Sequence, residues 1–330
     1  MMRRTLVSLV IAAAALTAEA VVVPDELLNS MTFRLVGPHR GGRVTAVTGV
    51  PNDPMTYYMG STGGGVWKTE DAGTYWFPVG DGQFRYASVG AIALYEKDPN
   101  IMYVGLGEPQ MRQSVSWGDG MYKTVDGGKT WEHIGLDEAR QIAKVIIHPD
   151  DPNRVYVASM GHAWGPSPER GIFRTTNGGK NWDKVLFKSD KTGAIDMVMS
   201  PKDPNILFAA LWEFERKAWG AKTAGPEGGL WKSTDGGDTW QEITRNEGLP
   251  AGMWGRLGLT MSAADPKRVY ALIDSATKSG LYRSDDLGGA RVRGSAGLHG
   301  PRADRRGRRR GSRAPARGRR GRCPSGSRAS

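Results

Sequence analysis

At 330 residues, with 39% hydrophobic and 24% charged residues, the chain is long enough for one large domain or two smaller ones. Its formal charge of +11 suggests nucleic acid until the charge is located: residues 289–330 hold 14 Arg, no Lys and one acid, Asp304, whereas residues 1–288 hold 31 basic and 33 acidic residues. The body is therefore near neutral, which excludes a charge-driven nucleic-acid surface there, and a lone cysteine, Cys323, excludes a disulfide framework.

Residues 1–20 read as a secretory signal. Arg3 and Arg4 supply the positive end, 5–16 is an apolar run too short to span a membrane, and Ala18-Glu19-Ala20 is a small-x-small cleavage site. The mature chain is expected to start near Val21, secreted or periplasmic, with no transmembrane segment left. Residues 21–31 are a lead-in. Phe33-Arg34-Leu35-Val36-Gly37 then shares the aromatic, charged, x, aliphatic, Gly pattern of Trp131-Glu132-His133-Ile134-Gly135. It is expected to be the outer strand of a sheet whose other strands come from the far end of the chain, a closure that protects sheet edges.

From residue 44 one unit repeats. A β-rich run (44–50, 88–94, 143–148, 194–200, 256–262) meets a turn marked by Asp-Pro at residues 53, 98, 151, 203 and 265. A second apolar strand follows (56–59, 101–105, 154–158, 206–210, 268–273), and a third runs into a tight polar turn. The turn opens on a hydroxyl, at Thr69, Thr124, Thr175, Ser233 and Ser284, in steps of 55, 51, 58 and 51 residues. An Asx residue two places on (Asp71, Asp126, Asn177, Asp235, Asp286) caps N–H groups inside the turn. A glycine two places further (Gly73, Gly128, Gly179, Gly237, Gly288) supplies a positive φ. Trp76, Trp131, Trp182 and Trp240 open the fourth strand and offer a large apolar surface to the neighbouring repeat. The fifth turn breaks off, with Ala290-Arg291 where Thr-Trp belongs. One carboxylate per turn is too few for Ca²⁺, so no metal is expected.

The turn is the Asp-box, or BNR repeat, and the chain resembles the β-propellers of bacterial sialidases, xyloglucanases and the sortilin ectodomain. Residues 33–287 look like the N-terminal part of large secreted bacterial BNR-like proteins, on the phrases Gly37-Pro38-His39-Arg40-Gly41-Gly42-Arg43, Gly63-Gly64-Gly65-Val66-Trp67 and Ala163-Trp164-Gly165-Pro166. The resemblance implies an all-β propeller of four-stranded blades over 32–288, with about five blades, the fifth incomplete, in an open or truncated ring. From about residue 289 the text is Arg, Gly, Ala, Pro and Ser without periodicity. It reads either as a basic anion-binding arm or, because it begins in mid-turn, as frameshift-derived sequence.

Strand order assigns the faces. Asp-Pro turns and Asp-boxes share one face. Second-to-third strand loops and blade links share the other, and these are the long ones, rich in charge and aromatics. The expected ligand-binding face comprises His39, Arg40 and Arg43; Glu108, Arg112 and Trp117; His162, Trp164, Glu169 and Arg170; and Trp212, Glu213, Arg216 and Trp219. Inter-loop ion pairs are the plainer reading of any one of them.

Glycosidase chemistry needs two carboxylates about 5–9 Å apart, and Glu108 and Glu213 are the nearest candidates, with Asp119, Glu169 and Glu215 also available. Two departures from the resembled enzymes lower that reading. Phe33-Arg34-Leu35-Val36 lacks the Pro of the sialidase motif, and Thr62 stands where xyloglucanases place a base Asp. No histidine pair has metal spacing, 60–65 lacks the Gly-Lys-Ser/Thr ending of a phosphate loop, and no cofactor is expected. The leading expectation is a secreted, non-catalytic module that binds protein, peptide or glycan. A glycoside hydrolase and a non-functional fragment are the alternatives.

Overall fold

The computed structural model describes residues 42–289 and the backbone of 292–294. The signal-like segment, the strand expected at 33–37, His39, Arg40 and the tail from 295 lie outside the described residues. Among the described residues no helix is long and apolar enough to cross a membrane.

Five antiparallel four-stranded sheets follow one another in chain order, as blades of a propeller. Blade 1 is β1 (Val44–Val50), β2 (Asp53–Ser61), β3 (Gly65–Thr69) and β4 (Phe77–Pro78). Blade 2 is β5 (Val89–Leu94), β6 (Met102–Leu106), β7 (Met121–Thr124) and β8 (Glu132–His133). Blade 3 is β9 (Ile142–His148), β10 (Asp151–Ser159), β11 (Gly171–Thr175) and β12 (Asp183–Leu186). Blade 4 is β13 (Thr192–Met199), β14 (Leu207–Glu213), β17 (Gly229–Ser233) and β18 (Gln241–Glu242), with a small hairpin, β15 (Glu215–Lys217) and β16 (Gly220–Lys222), between its middle strands. Blade 5 is β19 (Trp254–Met261), β20 (Val269–Ser275), β21 (Gly280–Ser284) and β22 (Val292–Gly294). A short fourth strand therefore still pairs where the fifth Asp-box loses its Thr-Trp.

The cores lie between blades, because each strand presents one set of side chains to the preceding blade and the other to the following one. Tyr58 and Val66 meet Val89, Met102 and Tyr122 between blades 1 and 2. Tyr103 and Met121 meet Val145, Val155 and Phe173 between blades 2 and 3. Tyr156 and Ile172 meet Met197, Leu207 and Trp231 between blades 3 and 4. Phe208 and Leu230 meet Trp254, Val269 and Tyr282 between blades 4 and 5. First strands pack in order, β1 on β5, β5 on β9, β9 on β13 and β13 on β19, and no comparable packing joins β19 to β1. The described residues thus form an arc with four inter-blade cores and two uncovered ends.

Each Asp-box is held by the same bonds. The opening hydroxyl accepts the N–H of the glycine four residues on, at 2.9, 3.0, 3.0, 2.8 and 2.7 Å for Gly73, Gly128, Gly179, Gly237 and Gly288. It donates to the Asx oxygen two residues on, at 2.6–2.9 Å. The φ angles of these glycines are 77–98°, the region where a Cβ is strained. The turns also prove the face assignment. Asp53, Asp98, Asp151, Asp203 and Asp265 each accept the N–H two residues on. The carbonyl of that same second residue then accepts an N–H from the Asp-box tip, at 2.9–3.0 Å in every blade, from Ala72, Gly127, Gly178, Gly236 and Leu287. The four tryptophans lie half-buried at the core edges. The indole N–H of Trp131 donates to Val79 O and that of Trp182 to Ile134 O, both in the preceding blade, whereas those of Trp76 and Trp240 donate to Gly73 O and Gly237 O of their own boxes.

Two predictions arise from these turns. Ala72 takes φ 58° where three of the other boxes have Gly. Ala72→Gly is expected to raise stability by about 0.5–1 kcal/mol in urea unfolding, since a non-Gly residue in this region costs about 1–2 kcal/mol and Gly returns part of that as backbone entropy. Hydrogen bonds from the hydroxyls and then the backbone N–H groups of Thr130 and Thr239 hold the Asp126 and Asp235 carboxyls down at about 2. Their stabilisation is present above the unfolded value near 3.9 and is lost as pH falls from about 4 to about 2. The double variant Asp126→Asn, Asp235→Asn is expected to fold, as Asn177 does natively, and to show a shallower acid limb in a pH titration of melting temperature.

Candidate functional site

On the face opposite the Asp-boxes, three long loops stand side by side: 107–120, 160–170 and 214–228. Each is braced before it presents anything to solvent.

The first loop is anchored by Glu108, whose side chain has no exposure. It accepts Arg43 Nε at 2.8 Å and Arg43 Nη2 at 2.6 Å. This two-point bond ties the entry of blade 1 to the loop of blade 2, and it raises the Arg43 guanidinium further above its ordinary value. The loop closes through Glu108 N–H on Ser116 O at 3.0 Å and Gly118 N–H on Arg140 O at 2.9 Å. Asp119 is buried and accepts the Tyr122 hydroxyl at 3.0 Å. Burial, then the Asp119 charge and bond, push that phenol up to about 12 against an N–H bond from Arg85. Arg112 is exposed, and Trp117 is exposed with the Arg140 guanidinium 5.5 Å from its ring centre.

The second loop is built around Arg170, only 1% exposed. Its guanidinium donates to the carbonyls of Lys191, Phe214 (2.8 Å), His162 (3.1 Å) and Gly165 (3.1 Å). Burial lowers it to about 10, so it stays charged at neutral pH. His162 is half-buried, its pKa lowered by burial and then by Arg170. Glu169 lies 3.9 Å from Lys184, and Trp164 is exposed.

The third loop is the β15–β16 hairpin, an element sequence reading missed. Trp219 at its tip is 86% exposed. Arg216 N–H donates to Ala163 O at 2.7 Å and joins the hairpin to the second loop. Trp212 is buried, donates to Thr223 O at 2.8 Å and packs against Phe214. Glu213, buried, pairs with Lys222 and accepts Glu227 N–H at 3.2 Å. A cavity of about 160 Å³ sits here, lined by Gly165, Arg170, Lys191, Glu213, Phe214 and Lys222 among others.

Glu108, Arg170, Trp212 and Glu213, expected on this face as binding side chains, are therefore enclosed. Each already holds partners within the fold, as a charge or indole N–H taken from water requires, with Arg170 Nε the one buried donor of these four left without one. The groups left facing solvent are Trp117, Trp164, Trp219 and Arg112, with Arg43, His162, Glu169 and Arg216 half-covered. Lys222, Arg140 and Glu227 were missed as bracing partners. The signal for Lys222 was the Gly220 turn, which makes 215–222 a hairpin.

Three other concavities differ in origin. Two, of about 820 and 800 Å³, open on the Asp-box side between blades 1 and 2 and between blades 2 and 3. They recur with the repeat, as grooves left by blade stacking, and none of the expected site residues lines them. The third, about 570 Å³, runs along the first strands of blades 3 to 5 and carries Lys144, Asp196, Arg256 and Asp274.

The family model for Sortilin-Vps10, described as sortilin, neurotensin receptor 3, matches residues 119–287. Xyloglucanase Xgh74A of Acetivibrio thermocellus is 28% identical over 138 residues, 38% of this chain and 15% of that protein. A xyloglucanase of a Paenibacillus species is 25% identical over 228 residues, 68% of this chain and 19% of that protein. The chain thus spans less than a fifth of these curated relatives. Among solved structures, an ancestral GH74 enzyme matches with a TM-score of 0.59 at 22% identity, over 81% of this chain and 33% of the other. The Niastella koreensis GH74 enzyme matches with a TM-score of 0.55 at 17% identity, over 76% and 37%. At these identities the structural likeness establishes the propeller fold alone.

Proposed function

This chain belongs to the Sortilin-Vps10 family, and from that premise we propose that residues 32–288 form a secreted propeller segment that binds a neutral polysaccharide through its loop face. The observation that carries the reading is the set of three exposed indoles, Trp117, Trp164 and Trp219, held out on loops whose buried charges, Glu108, Arg170 and Glu213, are spent on bracing. Indole faces are large, rigid and amphipathic, and suit the apolar faces of sugar rings with little ordering cost. The relatives named as xyloglucanases support a β-glucan of that class. The signal-like residues 1–20 support secretion.

Calorimetric titration with soluble xyloglucan tests it. Replacing Trp117, Trp164 and Trp219 together by alanine is expected to lower affinity at least about tenfold, since stacked aromatics contribute about 0.5–1.5 kcal/mol each, with melting unchanged. Equal affinity in the triple variant overturns the reading. The xyloglucanase relatives also favour a second reading, glycoside hydrolysis, in which Glu108 and Glu213 act as the carboxylates. Both carboxylates are engaged by cations here. Reducing-sugar release from a glucan panel, abolished by Glu108→Gln or Glu213→Gln, would replace the binding reading with this one.

A further inference from the structure

The residue just before the opening hydroxyl of every Asp-box is basic: Lys68, Lys123, Arg174, Lys232 and Arg283. All but one of these cations have a strong partner. Lys68 pairs with Glu70 at 2.7 Å, Arg174 with Asp238 at 2.6 Å and Arg283 with Asp285 at 3.0 Å, and Lys232 donates to Leu287 O at 2.8 Å. Among the described residues Lys123 has neither a carboxylate at ion-pair distance nor a backbone carbonyl. Its ammonium lies 3.5 Å from Asn153 Oδ1 and 5.3 Å from the centre of the Tyr103 ring.

The repeat register shows why. Glu70 and Asp285 directly follow the opening hydroxyls of their boxes, and Val125 stands at that place beside Lys123. Asp238 lies three residues after the Asx of the next blade's box, and the residue there for Lys123 is the exposed Lys180. The Asx of that same box is Asn177, where the other boxes have Asp. Asn177 Oδ1 accepts the Thr175 hydroxyl at 2.9 Å and Asn181 N–H at 3.0 Å, which leaves its NH₂ as a donor. All three losses of negative charge fall around one groove, the concavity of about 800 Å³ between blades 2 and 3. Glu132 is the one acid among its lining residues, against Lys123 and Lys180. The groove of about 820 Å³ between blades 1 and 2 has Asp53, Glu70, Asp81 and Asp126 against Lys68 and Lys129. The two grooves share an origin and a size and differ in the sign of their charge. Burial lowers the pKa of Lys123, with the Glu132 charge opposing and the Lys180 charge adding to the shift. A bound anion relieves a half-buried cation that faces a like charge.

We propose that the groove between blades 2 and 3 on the Asp-box face binds an oxyanion, held between Lys123 and Lys180 with the Asn177 amide as a further donor. A sulfate, phosphate or carboxylate supplies the charged oxygens that ammonium donors bond most strongly. The groove between blades 1 and 2 rejects the same group by charge alone, since its concavity is equally large. The site lies on the face opposite Trp117, Trp164 and Trp219, so it stands independently of polysaccharide binding there. The same chemistry serves a free ion or an oxyanion carried on a sugar, for which the half-buried Trp182 indole in the groove wall offers an apolar surface.

Hydrogen exchange on the full chain, with sodium sulfate against sodium chloride at equal ionic strength, tests this. The readout is local because the arginine-rich residues 289–330 draw anions of their own. Sulfate is expected to slow exchange over 176–182 and to leave 77–83, in the neighbouring groove, unchanged. Lys123→Met keeps a side chain on the Tyr103 ring and is expected to weaken the sulfate effect about tenfold, as the loss of one charge-assisted bond implies. Lys180→Asp copies the fourth box and is expected to abolish the effect without lowering the melting temperature, because Lys123 then gains the partner that Arg174 has. Asn177→Asp, which copies the other four boxes, is expected to weaken the effect in a chain that folds as wild type does. Glucose 6-sulfate that protects 176–182 at lower concentration than inorganic sulfate assigns the site to a sugar-borne oxyanion, and the reverse order to a free ion; the proposal stands in both cases. Sulfate that protects no more than chloride, protection that survives Lys180→Asp and Asn177→Asp, or equal protection by unmodified glucose would each overturn it.

Discussion

Arg170→Ala is expected to destabilise the protein by about 3 kcal/mol in urea unfolding. The guanidinium is buried and donates to four carbonyls drawn from three places: its own loop, Lys191 ahead of β13, and Phe214 at the start of the hairpin loop. Hydrogen bonds to charged groups are worth about 1.5–3 kcal/mol each, and a buried acceptor left without a donor costs about 1–3 kcal/mol. The total stays near 3 because the cation itself is costly to bury, as its lowered pKa records. Arg170→Lys is expected to recover less than half, since an ammonium is a single point where the carbonyls surround a planar fork. Function should follow stability. The loop that carries Trp164 and the hairpin that carries Trp219 share this one brace, so xyloglucan binding is expected to weaken even below the melting temperature. A variant that melts and binds as wild type does would show that the four bonds contribute nothing net.

Trp254→Ala is expected to cost about 3–5 kcal/mol, the range for deleting a buried tryptophan. Trp254 has no exposure and opens β19. It lies in the core between blades 4 and 5, donates to Pro250 O at 2.9 Å, and bridges to Gly225 of the hairpin loop. Because each blade of a repeat arc touches only its neighbours, the loss should fall locally. Hydrogen exchange is expected to speed up over 254–289 and 214–228 while blades 1 to 3 keep their protection. Uniform acceleration along the chain would show instead that the arc unfolds as one unit.

These two residues mark the limits of sequence reading. Arg170 was singled out for the right loop but with the wrong outlook, as a group facing a ligand. Trp254 was not singled out at all, since it falls outside the Asp-box register that the other tryptophans keep. Glu108 and Arg43 were both named, but nothing in the text joins residues 65 positions apart. The hairpin at 215–222 was hidden because its charged strands lack the apolar alternation of the blades, and its turn is marked only by Gly220.

The sequence by itself determined the blade, its count, its turns and its two faces. The bonds that make an Asp-box or an Asp-Pro turn run between residues two to four apart, so composition and spacing suffice to specify them. Which side chains of the loop face remain available was decided only by the tertiary structure. Stacking the blades brings Arg43 to Glu108 and Arg170 to the carbonyl of Phe214, 44 residues away. Once the loops are packed, desolvation forces each enclosed charge to find a partner. The indoles of Trp117, Trp164 and Trp219 carry no charge to be satisfied, and with Arg112 they are the expected binding groups that stay exposed on the described part of the face.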